Sequence, residues 1–400
     1  MKPIVLVIPW YGDNIRGGAE MECNCLAHSL QNAGQNVEVF TSCVKDAAAD
    51  RGKNTMKPGI HEESSISVRR FPVRKNRNIK AFGYSIEKIY NNDNYSIDDE
   101  KIYFKEDINS PKLYKFIKKN KDNYRVFIFI PYMYGIVYNG SFECMGKNIL
   151  IPCLHDESYA YMQLIKNKMS SFKGMIFNSK PEYDLAKKIY DLSKVKCAVL
   201  GLSIDTDWKD SVNPLAFKNK YDLFDDFILF AGRKDAGKKA DELAIFFMMF
   251  KEENPDNKIK LVYLGGGDLQ VKIPAKFETE IVELGFVSVE DKRNAFAAAT
   301  IFCNPSYFES FSIVIMESWI AKRPVLVSGH CAVTTNFCIE TNGGFYFNNY
   351  EEFYYCVLYL LENKEIANQM GENGQRYVLE NFTHEKIAGR YMDFIMDCGL

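Results

Sequence analysis

Four hundred residues exceed what one ordinary core organises and suit two lobes of roughly 150 to 200 residues each. With 47% hydrophobic and 26% charged residues, 25 Gly and 13 Pro, the composition excludes a disordered tail, a collagen-like fibre and a low-complexity linker. A net charge of -2 hides an asymmetry: residues 1–205 carry 30 Lys and Arg against 23 Asp and Glu, hence +7, whereas residues 206–400 carry 20 against 29, hence -9.

Ile4–Pro9 (IVLVIP) is an unbroken apolar run closed by a Gly/Asp/Asn turn. No small-residue cleavage site follows, so it reads as a first strand and not as a signal peptide. A helix from about Gly18 to Ala33 and a strand at Asn36–Thr41 complete a βαβ unit of a parallel sheet. Strands are expected again at Ile66–Phe71, Val126–Ile130, Ile149–Leu154, Met175–Asn178 and Cys197–Leu200. After a polar stretch over 205–226 the pattern restarts with a strand at Phe227–Arg233, a helix over 238–253 and strands at Lys260–Gly265, Ile281–Leu284, Ile301–Asn304 and Pro324–Val327. Helices are expected near 290–299 and 312–321, and the chain is helical in pattern from about Tyr350. The fold class is therefore α/β, with two doubly wound sheets whose strand ends open into a cleft.

Eleven cysteines are scattered from Cys23 to Cys398 with no CxxC pair and no His at zinc-ligand spacing, so neither a disulfide framework nor a structural zinc is expected. The longest apolar-rich window, Val126–Tyr138, falls short of the roughly 20 residues of a spanning helix. A cytoplasmic protein, soluble or peripheral on a membrane, is the expectation.

Function should lie on loops that follow strands. The first such loop, Trp10–Glu20, places Gly17 and Gly18 just before a helix, where backbone and helix amides can take a phosphate; the same pair also reads as a tight turn. His155 follows a strand end beside Asp156 and Glu157, where it can donate to a sugar hydroxyl, move a proton or simply order its own loop. After the second lobe's first strand, Gly232–Lys239 sets Arg233, Lys234, Lys238 and Lys239 around a glycine turn. Arg233 with Lys238 suits two linked phosphates, and a solvated cationic loop is the alternative. Lys239 occupies the place of the P-loop hydroxyl, which argues against magnesium P-loop chemistry. Asn304–Trp319 (NPSYFESFSIVIMESW) carries the most information. Glu309 and Glu317 stand eight positions apart around an expected helix start at Phe311, Ser312 and Ile313. Taken as one helix, they are offset by about 12 Å, at about 1.5 Å per residue. That suits the two ends of a sugar diphosphate nucleoside, Glu309 for the hexose and Glu317 for the ribose. The alternative, a surface acid at 317, sits poorly in the apolar context IVIMESWI.

In this order, the Gly17-Gly18-Ala19-Glu20 loop, the His155 loop, Gly201–Asp205, Gly232-Arg233 with Lys238, Gly265–Asp268 and the Glu309/Glu317 pair resemble the retaining family-4 glycosyltransferases of the GT-B fold, over essentially the whole chain. The resemblance implies two Rossmann-like domains facing a central cleft: an acceptor-side domain over 1–204, a nucleotide-sugar domain over 205–382 and a last helix, about 383–400, crossing back to the first. It implies that Arg233 and Lys238, with Lys239 as the rival lysine, hold the donor pyrophosphate. The amides of Phe311, Ser312 and Ile313 support it, Glu309 contacts the hexose, Glu317 holds the ribose, Gly17 and Gly18 meet the phosphates, and His155 contacts the hexose near the reacting carbon. Ser310, Ser312 and Lys239 stand where the family often has glycine.

The implied reaction moves a hexosyl unit from a nucleotide diphosphate to an acceptor hydroxyl with retention, and needs neither cofactor nor metal. Asp205-Thr206-Asp207 matches a metal-binding DxD only in spelling, because it falls at the linker. A retaining glycosidase is opposed by the eight-residue offset, since its two carboxyls stand about 5 Å apart. A GT-B nucleotide-sugar epimerase and a non-catalytic nucleotide-sugar-binding protein remain alternatives. Arg69–Lys80 and Lys112–Lys119 interleave cations with apolar residues, which suggests a glycan or lipid-linked glycan acceptor and an anionic membrane surface as partners. No nucleic-acid module is present.

Overall fold

The computed structural model describes residues 2–12 and 17–400. They form two compact units, Met1–Ser203 with His384–Leu400, and Ile204–Thr383.

The first unit is an eight-stranded sheet built from β1 (Ile4–Val7), β2 (Val37–Ser42), β3 (Gly59–Glu63), β4 (Ile66–Phe71), β5 (Val126–Phe129), β6 (Asn148–Leu150), β7 (Gly174–Phe177) and β8 (Lys196–Val199). Their order is β3-β4-β2-β1-β5-β6-β7-β8, and every pairing is parallel except β3 with β4. The central strands IVLV and VFIF are buried throughout because helices cover both faces of a parallel sheet. β3 was not expected: its sequence, GIHEE, is largely exposed, and it pairs antiparallel at the edge, where no apolar alternation is required. The helix Gly18–Asn32 packs against the final helix, His384–Asp397, so the chain's end belongs to this unit.

The second unit is a six-stranded, wholly parallel sheet of β9 (Phe227–Ala231), β10 (Lys260–Leu264), β11 (Ile281–Gly285), β12 (Ile301–Asn304), β13 (Val325–Ser328) and β14 (Gly344–Phe347). The order is β11-β10-β9-β12-β13-β14. The chain winds outward from β9 to β11, then returns to the other side of β9 and winds outward through β14. β9 and β12 therefore flank the switch point, where loops leaving the strand ends diverge and leave a crevice.

Candidate functional site

At that switch point the loops after β9 and β12 are tied together. Ser306 Oγ donates to the Gly237 carbonyl at 3.4 Å, and Lys238 Nζ meets Glu309 Oε1 at 2.7 Å. Asn304 Nδ2 donates to the same Glu309 oxygen at 3.2 Å and to Ser312 Oγ at 2.9 Å. A cation, a carboxylate and an amide from two diverging loops thus converge at the strand ends. Since Ser312 Oγ is engaged by Asn304, the helix Ile313–Ile320 starts without a side-chain cap, and its first-turn amides suit an anion.

The strand ends beside this crevice require close backbone approach. Gly232 N donates to the Leu264 carbonyl at 2.9 Å, and Lys234 N to the Gly266 carbonyl at 2.9 Å. A Cβ on Gly265, whose φ is +118°, would lie 2.1 Å from the Gly232 carbonyl oxygen, so only glycine lets the two loops meet. Gly265 N in turn donates to the Gly285 carbonyl at 2.7 Å, which closes a three-loop rim over β9, β10 and β11.

The four expected cations behave differently. Arg233 is exposed and lies 3.4 Å from Asp235. Lys234 is buried and pairs with Glu283 at 3.0 Å, so it serves the rim. Lys238 reaches Glu309, whereas Lys239 Nζ lies 4.3 Å from the Tyr307 ring centroid and 4.0 Å from Glu242. The structure thus separates the two neighbouring lysines: Lys238 meets the carboxylate of the loop after β12, whereas Lys239 lies over the ring of Tyr307 in the same loop. Lys239 (φ +55°) and Ser312 (φ +78°) both occupy left-handed backbone, which gives a physical reason for glycine being common at these places in the family the sequence resembles.

Glu309 and Glu317 do not share a helix. Glu309 lies in the loop before Ile313, so the helical offset of about 12 Å expected from the sequence does not apply. Glu317 lies on the helix and is not isolated among apolar residues: Lys292 Nζ meets its Oε1 at 2.7 Å, while its buried Oε2 has no hydrogen-bond partner among the described residues. Lys292 had no signal in the sequence, because its helix meets this one only in the tertiary fold. Phe311 is a core side chain, packed edge-on against Phe337 and Phe382, so only its amide suits a ligand. Asp205 is held by Arg293 at 2.6 Å.

In the first unit, Gly17 precedes the helix at Gly18, and a Cβ there would strike the Glu20 carboxylate. Residues 13–16 of this expected phosphate loop lie outside the described residues. His155 Nδ1 lies 3.6 Å from Glu157 Oε1. Its loop is fixed by Glu182, which sequence reading passed over: one carboxylate oxygen accepts from Leu154 N and the other from Asn178 N, both at 2.6 Å. Asn178 Nδ2 then donates to a second buried acid, Glu22, at 3.1 Å. Burial, only partly offset by these hydrogen bonds, pushes the Glu22 carboxyl up to about 7 and that of Glu182 up to about 8.

Residues 225–363 match the family model described as glycosyl transferases group 1. An uncharacterized glycosyltransferase of Methanocaldococcus jannaschii is 26% identical over 208 residues, 49% of this chain and 52% of that protein. The chain thus spans about half the length of this curated relative. Sucrose-phosphate synthase from Thermosynechococcus elongatus superposes with a TM-score of 0.70 at 16% identity, covering 99% of each chain. HepE of Anabaena, solved in complex with UDP and glucose, superposes with a TM-score of 0.68 at 15% identity, again covering 99% of each chain. The chain has the GT-B fold. Within it, residues 225–363 hold the tied loops after β9 and β12, together with Glu317 and its partner Lys292.

Proposed function

We propose that this protein is a retaining, metal-independent glycosyltransferase of family 4, which moves a hexosyl unit from a nucleotide-diphosphate sugar to a hydroxyl of a glycan or lipid-linked glycan. The observation that carries this reading is the meeting of Lys238, Glu309 and Asn304 at the strand ends of β9 and β12, inside the segment that matches the glycosyl transferases group 1 model.

In the proposed mechanism, departure of the nucleoside diphosphate develops negative charge. The uncapped amides at Ile313, with Arg233 and with Lys238 released from Glu309, stabilise it. Glu309 orients the hexose, and Glu317, with one carboxylate oxygen still lacking a donor, accepts from the ribose hydroxyls. The remaining assignments, Gly17 and Gly18 to the phosphates and His155 to the hexose, rest on the sequence resemblance. Attack on the same face, with the leaving phosphate taking the acceptor proton, accounts for retention without a protein nucleophile.

The membrane partner loses part of its basis. The helix Pro111–Asn120 spends its apolar face, Leu113 and Ile117, in the core, and Arg70 and Arg77 are buried beside Glu63 and Asp50. Exposed lysines at 112, 115, 118 and 119 keep only the electrostatic component. Among the described residues, no helix is long and apolar enough to cross a membrane.

A thermal-shift screen against UDP-, GDP-, ADP- and dTDP-sugars tests the proposal. One donor at about a hundred times its Kd is expected to raise the melting temperature by about 5–10 °C, and to turn over only with an acceptor present. Release of free sugar without acceptor would favour the epimerase reading, and binding without turnover the sensor reading. No stabilisation by any of the four would reject all three.

A further inference from the structure

The loop that carries His155 is held from outside its own sequence. Cys153, two residues earlier, occupies left-handed backbone at φ +51°, a conformation that costs a residue with a side chain energy and persists only where its surroundings impose it. Two buried acids from two helices surround it. Glu182, on the helix Lys180–Ile189, accepts from Leu154 N and from Asn178 N, both at 2.6 Å. Glu22, on the helix Gly18–Asn32, accepts on one oxygen from Cys153 Sγ at 3.2 Å and from Asn178 Nδ2 at 3.1 Å. We infer that Glu182 and Glu22 are positioning residues of the proposed transfer, which act by setting the place of His155.

Glu182 needs both of its oxygens for this. Each takes a backbone N–H, and a carboxyl offers a lone pair on either oxygen, whereas an amide offers none on its nitrogen. Asn178 links the two acids, since its backbone N–H goes to Glu182 and its side-chain N–H to Glu22. Glu22 Oε1 and Asn178 Oδ1, both buried, have no hydrogen-bond partner among the described residues. Two acceptors left over in one cluster lack one donor, and a proton on Glu22 Oε1 supplies it.

The surroundings favour that proton. The titratable groups that interact with the cluster are Glu20 and Cys23 from Glu22's own helix, Cys153, Glu182, and Tyr391 of the last helix. None of these is a cation that would hold Glu22 ionised, and burial raises its carboxyl. A neutral Glu22 also spares Glu182 a like charge beside it. Packing alone is served as well by apolar side chains. What the two acids add is a fixed place for one loop.

That His155 meets the hexose rests on the transferase reading, but the hold on its loop does not. Amide hydrogen exchange on the full chain reads the hold. Glu182→Gln is expected to speed exchange at Leu154 and Asn178 at least about tenfold, while β9 and β12 in the other unit exchange as before. Glu22→Gln, an isostere of the neutral acid, should leave both amides protected. Glu182→Asp keeps both acceptor oxygens on a shorter stem and should loosen the same two amides in smaller measure. Unchanged protection in Glu182→Gln, or equal loosening in Glu182→Gln and Glu22→Gln, overturns the inference. In transfer, Glu182→Gln should lower kcat at least about tenfold with the donor KM changed less than about threefold. That loss should vanish in a His155→Ala background, because a residue that acts through another adds nothing once the other is gone. A loss of the same size in that background makes Glu182 a general support of the fold and also overturns the inference. If the wild type turns over no nucleotide sugar while exchange responds as stated, the hold on the loop stands and its part in transfer falls with the transferase reading.

Discussion

Glu309→Ala and Glu317→Ala are expected to fail in opposite ways. Removing Glu309 takes away the group assigned to the hexose and leaves Lys238 without its 2.7 Å partner. An interaction realised mainly at the transition state is worth about 10²- to 10³-fold in kcat, so kcat should fall by that factor while nucleotide affinity changes by less than about threefold. Glu317→Ala removes two charge-assisted hydrogen bonds to the ribose, each worth about 1.5–3 kcal/mol. It should weaken nucleotide diphosphate binding by about 10²-fold, with a smaller loss of kcat at saturating donor. Lys292, freed from Glu317, would stay near the nucleotide and blunt part of the effect, so Glu317→Gln, which keeps an acceptor, should retain intermediate affinity. Titration calorimetry for binding and steady-state kinetics for transfer separate the two variants. Equal, negligible effects in both would contradict the assigned roles.

Stability of the first unit is expected to fall as pH rises from 5 to 7. Glu22 and Glu182 are buried, and their folded-state carboxyls are raised to about 7 and about 8 from the usual 4.5. A raised acid holds its proton in the folded state over a range where the unfolded chain has lost it. Its contribution is complete below the unfolded pKa and disappears as pH climbs through the folded one. Each acid sheds up to about 1.4 kcal/mol per pH unit across that range, so together they cost about 5 kcal/mol between pH 5 and 7, a drop in melting temperature on the order of 10–20 °C. Above pH 7 the trend is opposed: burial lowers the Lys168 amine to about 7, and a depressed lysine regains stability as pH rises toward its unfolded value of 10.5. Melts at pH 5, 6 and 7 read the slope directly. Glu22→Gln combined with Glu182→Gln should flatten it, and a slope unchanged in that double variant would show that other groups set it.

Both acids share a cause with what the sequence left illegible. Glu22, in the run AEMEC, reads as an ordinary helix acid; its burial depends on tertiary packing that includes the helix His384–Asp397, which the chain adds only at its end. Glu182 likewise reads as a first-turn acid, and only the fold brings Leu154 N to it. Buried parallel strands, by contrast, announce themselves as unbroken apolar runs, so β1, β5, β9 and β12 were legible to within two residues. The short, glycine-led β14 and the exposed edge strand β3 carry no such run. In the candidate site, Lys238 and Glu309 could be picked out as charges beside glycine or serine in loops after strand ends, and Glu317 as a charge within the apolar helix run IVIMESWI. Lys292, Asn304 and the separation of Lys238 from Lys239 depend on contacts between elements that no spacing encodes.

The central claim is that a nucleotide-diphosphate sugar lies along the crevice at the ends of β9 and β12. A crystal of the protein soaked with the donor that gives the largest thermal shift tests it most directly. The pyrophosphate is expected against Lys238 and the amides at Ile313, with the ribose hydroxyls on Glu317. Density for the same compound at any other place on the second unit, with Lys238 still closed on Glu309, would contradict the account.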